Sequence, residues 1–221
     1  TYFEAARNLE RTLQAGITSV RDAGGADLGI KTAVSQGLID GPRMQISITV
    51  MSITGGHADG WMPSGIKMDF FSETPGRPDG IADGVEEVRK KVREILRAGA
   101  DIIKVCSTGG VLSPTDHPEF TQFTLEELEV MVQEAAYRRG VKVMAHAQGL
   151  EGIKNAVKAG IHSIEHGIYL DDAVIEMMLA KGTYLVPTLL APVAVLAQAD
   201  AAGMPADGVR KERGSIEAPR D

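Results

Sequence analysis

The chain has 221 residues, 43% apolar and 24% charged, with a formal net charge of −7, as in an ordinary globular protein. The acidic balance argues against a nucleic-acid or anionic-membrane surface. A single cysteine, Cys106, excludes an internal disulfide and fits a reducing, cytoplasmic setting; no membrane-spanning run or signal-peptide pattern is present.

In chain order, a helical pattern (Ala6, Leu9, Leu13) ends at Gly16 and a β-branched run follows at once. That unit, a helix closed by glycine and then a strand, occurs five times: LQAG-ITSVRD, LRAG-ADIIKV, YRRG-VKVMAH, VKAG-IHSIEH and LAKG-TYLVPT. Glycine supplies the left-handed cap that turns the chain out of a helix, and short apolar runs read as buried parallel strands. Strands are predicted at 17–21, 43–50, 101–106, 141–145, 161–165 and 184–187. A capping-box pair, Asp83 and Glu86, opens one amphipathic helix, and Thr124 with Glu127 opens another. Two further helices, near 150–159 and 171–181, end at Gly160 and Gly182.

Two connections are long, 52–82 and 107–123. Their aromatic residues, Trp61, Phe70, Phe71, Phe120 and Phe123, favour ordered loops that shape a binding site over a disordered insertion. The repeat implies an α/β fold, a TIM-type (β/α)8 barrel, whose chemistry gathers at the C-terminal strand ends. A full barrel takes about 250 residues. With about six of eight strands in view, residues 1–200 are expected to form a partial barrel from a longer chain. Residues 201–221 are expected to be a poorly anchored tail or a truncated helix.

The residues at the predicted strand ends are Asp22, Lys104, His146, His166 and Thr188. A lone histidine such as His146 is more often a buried packing residue than a ligand. Two at successive strand ends, His146 and His166, point instead to a shared metal site, for which imidazole is the commonest ligand. Lys104 interrupts an apolar strand, and a buried lysine is rare unless paired or reactive. It suits either a Schiff base with a carbonyl substrate or carboxylation to a metal-bridging carbamate. The neighbouring histidines favour the carbamate. His162 is expected at the opposite rim and His117 at the surface. His57 lies in the GGHADG turn, where glycine permits close approach to a ligand.

The motifs NLERTLQAGITSVRDAGG, LIDGPRM, ITGGHADG, GADIIKVCSTGGV, VMAHAQG and HSIEHGIYLDD, in that order across residues 5–196, resemble the amidohydrolase superfamily. The closest likeness is to its Xaa-Pro dipeptidase (prolidase) and imidazolonepropionase-like members. The resemblance implies that Lys104 is carboxylated and bridges two divalent ions, zinc being the expected metal. It implies that His146 and His166 bind the second ion, and that His57 and Tyr169 face the substrate. The family's first-strand His-x-His pair has no match here. The expected acid/base aspartate lies beyond this chain, so no catalytic acid or base is assigned within it; Asp22 is given a structural role.

The implied reaction is hydrolysis of an amide bond in a small substrate, a dipeptide of Xaa-Pro type or an N-acyl amino acid, by a metal-bridging hydroxide. The alternatives are an imidazolonepropionase-like cyclic amidase, a Schiff-base aldolase using Lys104, and an inactive barrel fragment. The aldolase leaves both histidines without a role. The expected partners are a small-molecule or dipeptide substrate and further copies of the chain in a homo-oligomer, with neither nucleic acid nor membrane.

Overall fold

Helices and strands alternate along the chain in the computed structural model, which describes residues 2–68, 71, 75–138, 140–201 and 203–217. The order is α1 (Tyr2–Gln14), β1 (Ser19–Asp22), α2 (Leu28–Ser35), β2 (Arg43–Ile46), β3 (Val50–Met51), α3 (Val85–Arg97) and β4 (Ile102–Cys106). It continues with α4 (Leu125–Tyr137), β5 (Lys142–Ala147), α5 (Leu150–Ala159), β6 (Ser163–His166), α6 (Asp172–Lys181), β7 (Tyr184–Val186), α7 (Leu190–Gln198) and α8 (Ala206–Glu217). The described strands pair in parallel, β1 with β2, and β3 through β7 in sequence order. All five glycines of the repeat have positive φ, between 67° and 100°, the region that lets a helix end sharply.

Alternation along each strand sorts the side chains into two layers. Ile103, Val105, Val143, Ala145, Ala147 and Ile164 face the helices and join one core with Val88, Val92, Ile95, Leu128, Met131 and Ile153. Lys104, Cys106, Met144, His146, Ser163 and Glu165 occupy the other face. Arg21 of β1 crosses to that face, donating to Ser163 Oγ at 2.9 Å and to Glu165 Oε1 at 3.3 Å. The two-stranded sheet therefore curves round toward β5 and β6, as in a partial (β/α)8 barrel.

The strand predicted at 43–50 is broken into β2 and β3. Ile48 has φ 69°, and Thr49 N donates to Ser47 O at 2.8 Å in a tight turn, so the ladder stops there. Asp101 spans the gap: its Oδ2 accepts from Ile46 N at 2.9 Å while its own N donates to Ile46 O at 2.8 Å. A positive φ strains a β-branched residue. Ile48 tolerates it while only 2% exposed, because burial of its side chain offsets the local strain.

The Asp83–Glu86 capping box does not form. Both Asp83 oxygens accept from Thr54, through its N and its Oγ1, and Gly84 takes the cap position of α3. The Thr124–Glu127 box forms in both directions. Residues 206–217, within the stretch expected as a loose tail or cut helix, are the helix α8. Lys211 on α8 donates to Ser113 O and Asp116 O, which anchors it to the 107–123 loop. Phe70, of the aromatics assigned to the first long loop, lies outside the described residues. No described helix is long and apolar enough to cross a membrane.

Candidate active site

Lys104 lies at the middle of β4, in register with Met144 of β5, and is 7% exposed. Burial holds its amine below the usual lysine value; nearby Arg21 acts in the same direction, against Cys106 and Glu165. His146 stands on β5 with its ring 4.8 Å from that of His166, edge to face. Both imidazoles are held in the neutral form. His146 is pushed well below the ordinary value by burial and then by its neighbours His57, His166 and Lys104. His166 is lowered to about 4 by burial, with contributions from Lys104 and His57.

His166 reaches the interior by a backbone device. It is the register partner of Ala147, which faces the helices, so strict alternation would send it outward. Its φ of 76° turns the residue back toward His146.

A hydrogen bond selects the tautomer of His146. His146 Nε2 lies 2.8 Å from Gly109 O; a carbonyl only accepts, so Nε2 carries the proton and Nδ1 keeps a lone pair. His166 Nδ1 meets Thr188 Oγ1 at 2.7 Å, directing Nε2 into the site. A histidine whose second nitrogen is held by a carbonyl or hydroxyl is the usual arrangement of a metal-binding imidazole. The donor set of Lys104, His146 and His166 therefore fits divalent metal, the lysine once carboxylated. Among the described residues no three His, Cys, Asp or Glu side chains are placed to hold a metal ion.

His57 stacks on His146, ring centroids 4.4 Å apart and 20° from parallel. Its Nδ1 is 2.8 Å from Ser113 Oγ and 3.6 Å from Asp116 Oδ2. Ser113 Oγ donates to Asp116 Oδ1, so it accepts from His57 Nδ1–H. Gly110 makes room for this ring: a Cβ there would sit 2.1 Å from His57 Cε1. Tyr169, half-buried, donates its backbone N–H to Gln148 O at 3.0 Å. Burial raises the pKa of its phenol, so the O–H is retained.

The structure thus brings Lys104, His146, His166 and His57 together. His162 lies elsewhere, against Tyr184 with ring centroids 5.1 Å apart. Asp22 has a structural role: its Oδ1 accepts from Gly24 N and Ala26 N, both at 3.1 Å. Residues that sequence reasoning missed are Arg21 and Glu165 beneath the site, Ser113 and Asp116 behind His57, and Lys211. Charges inside the SVRD and SIEH strands were a usable signal for the first pair. No local pattern marked the others.

The model of the Amidohydrolase family matches residues 1–217. An ochratoxinase from Aspergillus niger is 42% identical over 191 residues, which is 83% of this chain and 40% of the relative. A prolidase solved in complex with N-methylphosphonate-L-proline superposes with a TM-score of 0.86 at 38% identity, over 96% of this chain and 52% of that one. A Xaa-Pro dipeptidase with methionine bound in its active site gives 0.83 at 34% identity, over 98% and 52%. The chain spans about half the length of these solved relatives, and less of the ochratoxinase.

Proposed function

Because the chain belongs to the amidohydrolase family, we propose that the protein is a metal-dependent hydrolase of small amides. The substrate is a dipeptide with C-terminal proline or an N-acyl amino acid. The observation that carries this reading is the meeting of two hydrogen-bonded imidazoles, His146 and His166, beside the buried amine of Lys104. The prolidase and Xaa-Pro dipeptidase relatives support the substrate class.

Bound divalent ions, zinc in this proposal, would supply Lewis acidity and an activated water. The chain's own residues prepare for them. Burial, which lowers the Lys104 pKa, favours the free amine that would attack carbon dioxide; the N–C bond would form, a proton leave to solvent, and the carbamate gain a negative charge and two oxygens. His146 and His166 would be the nitrogen ligands. His57, its Nδ1 held by Ser113 Oγ and its ring set against His146, would present Nε2 to the substrate. The retained Tyr169 O–H is a donor to the carbonyl oxygen, where negative charge develops.

The test is turnover by metal-loaded full-length protein against Xaa-Pro and other dipeptides, N-acyl amino acids, ochratoxin and imidazolonepropionate. Hydrolysis of at least one peptide or N-acyl amino acid is expected. Turnover of imidazolonepropionate alone would refute the dipeptidase reading, and activity unaffected by chelation would refute metal dependence.

A further inference from the structure

We propose that α8 is a brace that positions the candidate substrate-facing residue His57, with Lys211 acting through the loop segment from Ser113 to Asp116. This rests on the functional reading above for what His57 does.

Gly208, Lys211, Glu212 and Ser215 share one face of α8, at helical spacing. Gly208, Glu212 and Ser215 are buried, and the Lys211 side chain is only 7% exposed. An ammonium has three protons to place, and that of Lys211 has three partners. It reaches Ser113 O at 2.9 Å, Asp116 O at 2.7 Å and Asp207 Oδ2 at 3.0 Å. Two of these are backbone carbonyls of the same short loop segment, the one whose side chains hold His57. Ser113 Oγ accepts from His57 Nδ1, and Asp116 takes the Ser113 proton on one oxygen and a Gln122 amide proton on the other, at 3.2 Å. Removing the ammonium therefore frees the loop that sets the His57 ring against His146.

One helical turn further on, Ser215 Oγ donates to Lys211 O at 3.1 Å, a bond within α8 itself. Lys211 is a positioning residue: its effect must pass through His57.

That dependence is the test, carried out on metal-loaded full-length protein with a hydrolysed Xaa-Pro dipeptide. A double-mutant cycle pairs Lys211→Met with His57→Ala. K211M is expected to lower kcat/KM about tenfold in the wild-type background, the scale of a lost charged hydrogen bond, and to add nothing in H57A. Fully additive costs would overturn the proposal. Hydrogen exchange decides the point without turnover. In K211M the amides of Gly109, Phe120 and Gln122 are expected to exchange about tenfold faster, with α3 and α4 unchanged and Lys211→Arg largely restoring protection. Unchanged loop exchange in K211M would overturn the brace. A wild-type protein inactive on every amide but showing the exchange effect would instead sink the functional reading and leave the brace standing.

Discussion

His57 and His146 stack face to face with ring centroids 4.4 Å apart, although one lies in the first long loop and the other on β5. The contact sets the first long connection against the barrel interior. It also explains the shape of the surrounding backbone. His146 Nε2 donates to Gly109 O, and the next residue, Gly110, has no side chain to displace His57. The two glycines thus serve the two histidines in turn.

Gly110→Ala tests that close approach. A methyl group 2.1 Å from the His57 ring forces the imidazole away from His146. Displacements of about 1 Å at a reacting centre cost on the order of a hundredfold in rate. We expect kcat/KM to fall by roughly that factor while the thermal midpoint changes little, read by steady-state kinetics beside calorimetry. Wild-type kinetics in G110A would show that His57 placement is irrelevant to turnover.

Lys104 is expected to carry a carboxyl group in the metal-loaded full-length protein. After equilibration with ¹³C-bicarbonate, a carbamate resonance should appear in the wild type and be absent in Lys104→Ala. That variant should lose at least about a hundredfold in kcat/KM, since even outer-shell partners of metal ligands are worth 10–100-fold. A wild-type spectrum without the resonance, in protein that turns over substrate, would defeat the assignment.

Thr188 holds His166 through a 2.7 Å hydrogen bond to Nδ1. Thr188→Val keeps the shape and removes the hydroxyl partner. Metal affinity measured by chelator competition should drop about 10- to 100-fold, with secondary structure intact by circular dichroism. Equal affinity in the two proteins would mean that the hydroxyl does not orient the ring.

Away from the site, Glu134 gives a pH-dependent stability term. Its pKa is lowered from 4.5, first by hydrogen bonding to Arg93 and against burial, with Arg89 adding to the effect. A carboxylate depressed in the folded state contributes stability that is fully present above the unfolded value, and this is lost as pH falls through the folded one. Urea midpoints taken from neutral pH down to pH 3 should therefore decline less steeply for Glu134→Gln than for wild type below about pH 4.5, with E134Q the less stable at neutral pH. Parallel curves would remove Glu134 from the acid response.

Much of this protein is local in origin. A glycine after each helix, β-branched runs too short for anything but a buried strand, and apolar stripes of helical period each encode their element within a few residues. Those elements can assemble into few architectures, so the partial barrel was legible from the chain, and with it the middle of β4 and the C-terminal ends of β5 and β6, where Lys104, His146 and His166 stand. What the tertiary structure decided is how those ends are finished. The break at Ile48 and the inward turn of His166 both need a positive φ that no propensity of isoleucine or histidine predicts; packing and hydrogen bonds imposed by distant segments hold them there. The Arg21–Glu165 pair, the Asp116–Ser113–His57 chain and the reach of Lys211 from α8 join residues with no sequence relationship. Their partners are set by distance through space, which exists only once the strands have curved and the loops have closed over them.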